Sequence, residues 1–517
     1  MRLKIIALAF IVLPLAAGAQ KSKKIVKKTA AYISAADLKK HLYIIASKEM
    51  EGRDTPSPGL EKAADYIEAY FKSLGLKPGD HGSYKQYYPL YRDGVITNSL
   101  SINGNELSND TYRVNSSTQG YDKSFSEVVF AGYGIQDSSH NDYAGLDVKN
   151  KLVLVLDGVP DGYKPKGNAN SFFSPGSAFG KMRKAGELGA AGLVIVYENL
   201  GKLLQRRPMA SRWSPEDPNT PEPPFMSVSI SERDGANLLK MDNDKLFEKV
   251  KQNGVARQSY PVSLHFNYSK TVETSKAPNV LAVLEGTDLK DEYLVVTAHM
   301  DHLGKRNDSV IYYGADDDGS GTVGVLEIAK AFAKAKANGK GPRRSIVFMT
   351  VSGEEKGLWG SEYYTNHPIF PLEKTTANLN IDMIGRSDAS RKQGDSTNYV
   401  YVVGDDKIST DLKPISEAVN KKFLKMELDY KFNDPKDPNR IYFRSDHFNF
   451  ASKGVPIIFY YDGMLGADYH KPTDTPDKIN YELLKKRAQL VFYTAWEMAN
   501  RNEMLKRDLK LEIPGRF

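Results

Sequence analysis

The sequence predicts an α/β fold, a three-layer sandwich with a mixed, largely parallel central sheet, into which a mainly β domain is inserted. Three observations lead to this prediction. From Asn279 onward, apolar runs of strand length alternate with longer runs at helical spacing, which indicates a sheet covered by helices. Between about Ser116 and Asn267 the apolar runs are short and β-like, with Pro- and Ser-rich stretches between them. The chain of 517 residues is also too long for one ordinary hydrophobic core.

The first twenty residues differ in character from the rest of the chain. Arg2 and Lys4 precede an apolar run from Ile5 to Leu15, and small residues around Ala19 suit cleavage. This layout predicts a signal peptide over residues 1–19 and an exported protein, periplasmic or extracellular. Because no later apolar segment is long enough to span a bilayer, we expect no stable membrane insertion.

Composition narrows the chemistry that the chain can carry. There is no cysteine, so disulfides and thiolate metal ligands are excluded, and a catalytic metal would have to bind His, Asp and Glu. The formal charge of +7 is small for this length, and Lys and Arg are scattered along the chain. We therefore expect no nucleic-acid partner. The sequence leaves the oligomeric state open.

The N-terminal part of the main domain, residues 33–115, begins with two amphipathic helices. Apolar residues at helical spacing predict helices over Ala35–Ala46 and Leu60–Leu74, and the turn-rich segment Glu51–Gly59 lies between them. We expect the inserted domain to cover residues 116–270.

The second part of the main domain, residues 271–505, carries the alternating pattern. Five apolar runs predict strands, namely Val280–Leu284, Tyr293–Ala298, Ser345–Val351, Ala377–Ile384 and Val455–Tyr461. Three longer amphipathic runs predict helices, namely Gly321–Lys336, Leu358–Thr365 and Tyr481–Asn500.

Acidic and imidazole side chains lie near the end of, or shortly after, four of these predicted strands. In open α/β sheets, sites gather beyond the carboxyl ends of the strands. The residues concerned are His299 and Asp301, Glu354 and Glu355, Asp382, and His470. Each alone is ordinary, because a single His is more often a surface residue than a ligand, and paired Glu residues are usually solvated. Because four predicted strands bring such acidic and imidazole groups to one edge of the sheet, we predict that these groups form one shared site.

Five motifs in this region resemble, in content and order, those of the M28 family of zinc peptidases. They are His299–Gly304 (HMDHLG), Gly314–Gly321 (GADDDGSG), Glu354–Ser361 (EEKGLWGS), Asn380–Gly385 (NIDMIG) and Tyr469-His470. The resemblance covers roughly residues 35–116 and 271–500. The inserted region resembles a protease-associated (PA) domain in its motifs Ala131–Ile135 (AGYGI), Asp142-Tyr143, Asp147–Lys151 and Gly189–Gly192.

The resemblance implies a set of five zinc ligands for two zinc ions. His299 and Glu355 would bind one ion, Asp382 and His470 would bind the other, and Asp317 would bridge them. Asp317 is chosen among its neighbours because the bridging Asp of the family stands three residues before a Ser-Gly pair, here Ser320-Gly321.

Two further roles are implied by the same resemblance. Glu354 would be the general base for a water activated by both ions, and Asp301 would orient His299. Residues i and i+2 on an extended strand face the same way, so Asp301 can reach His299. Adjacent glutamates on an extended segment point apart, so that Glu355 can bind metal while Glu354 faces the substrate.

The function implied by the resemblance is that of a metallo-exopeptidase acting on peptide substrates, with an aminopeptidase as the leading interpretation. A carboxypeptidase of the same family, a glutaminyl-cyclase-like transferase with a single zinc, and a non-catalytic binding protein remain open. Arg386 and Arg444 lie near the motifs and could clamp a terminal carboxylate in a carboxypeptidase. Tyr469 is a candidate donor to the oxyanion.

Overall fold

The computed structural model describes residues 23–115, 120–165, 174–205, 211–217, 225–241, 245–434, 436–463, 465–466 and 468–512. The chain divides into two units, one formed by the residues up to Pro89 and from Ser275, and the other by Leu90–Thr274. The second unit begins earlier in the chain than the insertion predicted over residues 116–270. The signal peptide predicted over residues 1–19 lies outside the described residues.

The first unit is built on a mixed central sheet. In spatial order its strands are Glu427–Asp429, Tyr399–Val403, Ile457–Tyr461, Thr375–Ile381, Leu289–His299, Arg344–Val351 and the last residues of Ser259–Leu284. Four neighbouring pairs run parallel, and two run antiparallel. The mixed, largely parallel central sheet is therefore confirmed.

Helices cover both faces of this sheet. Successive side chains of a strand point to opposite faces, so Phe348 lies on one face and its neighbours Val347 and Met349 lie on the other. The ring of Phe348 contacts Phe332, which belongs to the helix Gly321–Ala337. The other face shares an apolar core with two shorter helices. The helices of this unit include Ala35–Ile45, Pro58–Ser73, Gly321–Ala337, Trp359–Asn366, Leu412–Phe423, His447–Ser452 and Tyr481–Asn500.

The starts of three predicted helices follow from their capping residues. The side chains of Ser34, Ser57 and Asn480 each accept a backbone N–H from the first turn of the helix that follows them. Pro58 stands in the first turn after Ser57, where its missing N–H costs nothing. These helices lie within two residues of their predicted bounds. Within the described ranges, no helix combines the length and the apolar character needed to cross a lipid bilayer.

The strands of the second unit are joined in hydrogen-bonded order. From the first residues of Ser259–Leu284 the order is Gly120–Phe130, Leu152–Leu156, Gly192–Tyr197, Met226–Ser231 and Arg113–Asn115, and Lys85–Ile102, paired with Asn105–Leu107, also pairs with Ser259–Leu284. Three inner pairs run parallel and the two outer pairs run antiparallel. The second unit also contains short helices. The prediction of a mainly β domain did not include them. They are Ala178–Glu187, Leu200–Leu204, Glu232–Leu238 and Leu246–Lys251.

Candidate metal centre

The site predicted from the sequence lies at one edge of the sheet in the first unit. Leu289–His299 is flanked by the parallel strands Arg344–Val351 and Thr375–Ile381. His299 ends the central strand, Asp382 directly follows one neighbour, and Glu354 and Glu355 follow the other. Parallel strands end at the same edge, so all these side chains are delivered to one place.

Two imidazole–carboxylate groups meet at Asp317. His299 Nε2 lies 3.3 Å from Asp317 Oδ1 and 3.6 Å from Asp382 Oδ1. His470 Nε2 lies 3.2 Å from Asp317 Oδ2 and 3.1 Å from Glu355 Oε2. The buried Asp317 carboxylate therefore stands between the two groups, with one oxygen toward each.

The pairing of residues in these groups differs from the prediction. The family resemblance paired His299 with Glu355 and Asp382 with His470, whereas the structure places His299 with Asp382 and Glu355 with His470. The register explains the difference. Thr297 pairs with Asn380, so two residues later His299 and Asp382 stand side by side. On the neighbouring strand Arg344–Val351, the residue that pairs with His299 is Val351. Glu355 lies four residues further along the chain than Val351, so it is not level with His299.

Of the three consecutive aspartates, only Asp317 has its carboxylate between both histidines. Asp318 also lies close to His299 and Asp382, but its carboxylate accepts backbone N–H groups from His299, Gly321 and Met383 at 2.8–3.1 Å. Asp316 Oδ1 accepts a backbone N–H in the same manner. The flanking aspartates hold the backbone around the site, and Asp317 alone is left for a shared ligand.

Asp301 contacts His299 through two of its oxygens. The backbone oxygen of Asp301 lies 3.1 Å from His299 Nδ1, and the carboxylate Oδ1 lies 3.6 Å from it. The nearer partner of the imidazole is thus the backbone carbonyl, although the prediction assigned this position to the carboxylate. Oδ1 of Asp301 also accepts the backbone N–H of Glu354 at 3.2 Å. Asp301 therefore links the His299 loop to the glutamate loop.

Glu354 and Glu355 point in different directions, but for another reason than the one predicted. They lie in a 3₁₀ turn over Glu354–Lys356, which follows Gly353 in a left-handed conformation, and not on an extended segment. Glu355 faces His470, whereas Glu354 lines the pocket beside the centre, with Oε2 3.9 Å from His299 Nε2.

His302 is a residue of the site that is absent from the predicted ligand set. It is fully buried, and its Nδ1 lies 2.7 Å from Glu355 Oε1 and 3.9 Å from Asp317 Oδ2. The sequence could have indicated this residue, because the segment His299–His302 contains a second histidine directly after Asp301. His302 contacts Oε1 of Glu355, and Oε2 of the same carboxylate faces His470.

The residues of the centre fit a divalent cation. His299 Nε2 and Asp317 Oδ2 are buried, and neither makes a well-aligned hydrogen bond with a described residue, although each lies 3.2–3.3 Å from an oppositely charged group. Burial lowers the pKa of His470, but the carboxylates of Asp317 and Glu355 offset this and raise it to about 10. The field of the carboxylates therefore favours positive charge at this point. Imidazole nitrogens and carboxylate oxygens are ligands that zinc binds in proteins.

A pocket lined by both charged and apolar side chains opens beside the centre. Asp317, Glu354 and Asp382 belong to its lining, and the remaining lining residues are Met383, Ile441, Arg444, Phe459, Tyr461, Leu465 and Tyr469. Arg444 Nη2 donates to the Tyr469 hydroxyl at 2.9 Å, and the ring of Tyr469 stacks on His470. Burial raises the pKa of Tyr469, so its hydroxyl keeps its proton at neutral pH.

Comparison with known proteins points to peptidases. Residues 279–495 match the model of peptidase family M28. A probable leucine aminopeptidase of Arthroderma otae is 32% identical over 232 residues, which cover 44% of this chain and 59% of the relative. A probable glutamate carboxypeptidase of Arabidopsis thaliana is 26% identical over 370 residues, which cover 62% of this chain and 50% of the relative. The chain thus spans 59% and 50% of the lengths of these two curated relatives.

The fold has a counterpart among solved structures. An aminopeptidase from Aneurinibacillus sp. strain AM-1 superposes with a TM-score of 0.50 at 21% sequence identity, over 94% of this chain and 99% of that one. At this identity the likeness concerns the fold. The segment that carries the site is therefore similar to metallopeptidases in sequence, and the chain has the fold of a solved aminopeptidase.

Proposed function

We propose that this chain is an exported, zinc-dependent metallopeptidase that holds two zinc ions and removes residues from the amino end of peptides. The observation that carries the proposal is the position of Asp317, whose two oxygens lie 3.3 Å from His299 and 3.2 Å from His470. A carboxylate between two such groups is suited to bridge two ions. Export rests on the signal peptide predicted over residues 1–19. The resemblance of the region predicted over residues 116–270 to a PA domain rests on its sequence motifs.

Five residues would hold the two ions. His299 and Asp382 would bind one ion, Glu355 and His470 would bind the other, and Asp317 would give one oxygen to each. When bound, zinc lowers the pKa of a water molecule and polarises the carbonyl of the scissile bond. The three carboxylates do not fully neutralise two divalent ions, so the centre keeps the positive charge that this chemistry requires.

Glu354 would move the proton. Its backbone N–H is held by Asp301, and its side chain lines the pocket beside His299. A carboxylate in this position can accept the proton of the attacking water and deliver it to the leaving amine.

The pocket favours the amino end of a peptide. Its apolar residues suit an apolar terminal side chain, and the carboxylate of Glu354, which holds no metal in this proposal, can pair with the terminal amine. Arg386 is already engaged, with its Nη1 2.6 Å from Asp468 Oδ2. Arg444 donates to the Tyr469 hydroxyl.

A carboxypeptidase is the second candidate. It is favoured by the similarity to the Arabidopsis relative and by Arg444, a guanidinium at the pocket wall that could pair with a terminal carboxylate. The two candidates share the metal centre and differ only in the end of the peptide that they recognise.

Two blocked peptides of one apolar sequence separate these candidates. We expect a tripeptide amidated at its carboxyl end to be shortened, and the same tripeptide acetylated at its amine to remain intact, because the Glu354 carboxylate can pair with a free amine and not with an acetylated one. The products are identified by mass spectrometry, and a chelator-treated sample is the control. Cleavage of the acetylated peptide alone would show a carboxypeptidase.

Metal content separates the wider alternatives. The proposal requires two zinc ions per chain in the purified full-length protein, as measured by inductively coupled plasma mass spectrometry. One ion with release of ammonia from an N-terminal glutamine would favour the glutaminyl-cyclase-like transferase. A chain that holds no metal and cleaves neither peptide would be a binding protein.

The Tyr469 hydroxyl is expected to stabilise the oxyanion. Arg444 donates to its oxygen, so the proton of the hydroxyl is free to point into the pocket. In Tyr469→Phe we expect kcat to fall by about 10²-fold with zinc content unchanged, since a single oxyanion donor is typically worth this much or more. Steady-state kinetics on an amino-acid arylamide measure the effect.

Tyr442→Phe is a matched control for this substitution. Tyr442 is fully buried, and its hydroxyl has no hydrogen-bond partner in the described part of the chain. Its substitution should leave kcat within about 2-fold, as expected of a change away from the reacting groups. Equal kinetics for Tyr469→Phe and the wild type would remove Tyr469 from the mechanism.

A further inference from the structure

The segment Gly52–Thr55, which we call the brace, lies against the metal centre although it is far from the metal motifs in the sequence. Its backbone pairs with the residues that follow Asp301. Gly304 N donates to Gly52 O at 2.9 Å, and His302 N donates to Arg53 O at 3.2 Å. Gly52 has a φ of 71°, and a Cβ there would stand 2.2 Å from the backbone oxygen of Gly304, so this approach requires glycine.

The Arg53 side chain holds the backbone of two ligand loops. It is buried, and its guanidinium donates to the carbonyl oxygens of Met300 at 2.7 Å and of Tyr313 and Gly314 at 2.8 and 2.9 Å. A fourth bond reaches Ile45 at the end of the preceding helix. Met300 is next to His299, and Gly314 begins the turn that carries Asp317. The brace thus joins the loops of the two residues that face each other across the centre.

The Thr55 hydroxyl joins the His299 loop to the glutamate loop. It donates to Asp301 Oδ2 at 3.1 Å and accepts the backbone N–H of Gly353 at 3.1 Å. Beside it, Asp54 Oδ1 lies 2.7 Å from Lys356 Nζ. Gly353 and Lys356 flank the two glutamates, so the brace contacts this loop on both sides of them.

We infer that the brace is a positioning device of the metal centre, in which the Thr55 hydroxyl fixes the separation between the His299 loop and the Glu354–Glu355 loop. This inference rests on the proposed function for its meaning in catalysis. Thr55 is buried and is not among the residues that line the pocket, so it acts through Asp301 and Gly353 and not on the substrate. Groups that orient metal ligands typically contribute about 10–100-fold in metal affinity or activity.

Thr55→Val removes the hydroxyl and keeps the shape of the side chain. We expect zinc affinity of the full chain, measured by competition with a coloured chelator, to fall by about 10-fold or more. We expect kcat to fall and KM to change less, because Thr55 positions the metal loops and does not itself line the pocket. Thr55→Ser restores the hydroxyl and should restore both zinc affinity and kcat.

Thr494→Val is the matched control. Thr494 is fully buried in the helix Tyr481–Asn500 and donates to the carbonyl of Leu490 in its own helix. We expect this variant to bind zinc as the wild type does. Thermal unfolding in excess chelator shows whether each variant is folded before zinc is added.

Each outcome decides the inference. Wild-type zinc affinity in a folded Thr55→Val would overturn it, and so would an equal loss in Thr494→Val or a failure of Thr55→Ser to recover. If the wild type cleaves no peptide while Thr55→Val still loses zinc affinity and Thr55→Ser recovers it, the proposed function fails and the positioning role stands.

Discussion

Glu354→Gln is expected to lower turnover by about 10³-fold while both zinc ions stay bound, a loss typical of removing a proton-transfer group together with its charge. The glutamate is held at its backbone by Asp301, and its side chain lines the pocket. Glutamine has the same shape and cannot accept the proton of the attacking water. The ligand pairs around Asp317 do not include this side chain, so metal binding should persist.

The measurement combines kcat on an amino-acid arylamide with zinc content per chain. Glu362→Gln is the matched control, since Glu362 is exposed on the helix Trp359–Asn366 and its substitution makes the same change in charge. Loss of one zinc ion in Glu354→Gln would reassign this residue as a ligand. Turnover close to that of the wild type would show that another group acts as the base.

The sequence could predict the site residues because chemistry and strand pattern coincide there. His299 ends an apolar strand, and Asp382 follows another, so the apolar runs alone locate the carboxyl edge of the sheet. The pairing of the ligands could not be predicted in this way. It depends on the register of Thr297 with Asn380, which is a property of two strands and not of either alone.

Other differences have separate causes. The strand Tyr399–Val403 and the helix Leu412–Phe423 were not predicted, although both belong to the first unit. Short buried strands give a weak periodic signal, because every residue is apolar. In the sequence, the brace appears only as part of a turn-rich segment. Its contacts with the metal loops join residues about 250 positions apart, which no local pattern encodes.

Asp317→Ala is expected to reduce zinc from two ions per chain to fewer than one at micromolar zinc. Both ions would lose a ligand at once, because the two oxygens of Asp317 face different histidines. Activity on the arylamide should fall by at least about 10³-fold, since the chemistry depends on the metal. Asp308→Ala is the control, because Asp308 is largely exposed and pairs only with Lys305 among the described residues.

The neighbours of Asp317 provide the decisive comparison. The Asp318 carboxylate accepts three backbone N–H groups, so Asp318→Ala should lower the free energy of unfolding of the zinc-free protein by about 1–3 kcal/mol, the cost of unsatisfied buried donors. Among the described residues, no backbone N–H donates to the Asp317 carboxylate, so Asp317→Ala should not have this cost. Urea unfolding in chelator separates the two effects. Retention of two zinc ions in Asp317→Ala, together with their loss in Asp318→Ala, would transfer the bridging role to Asp318.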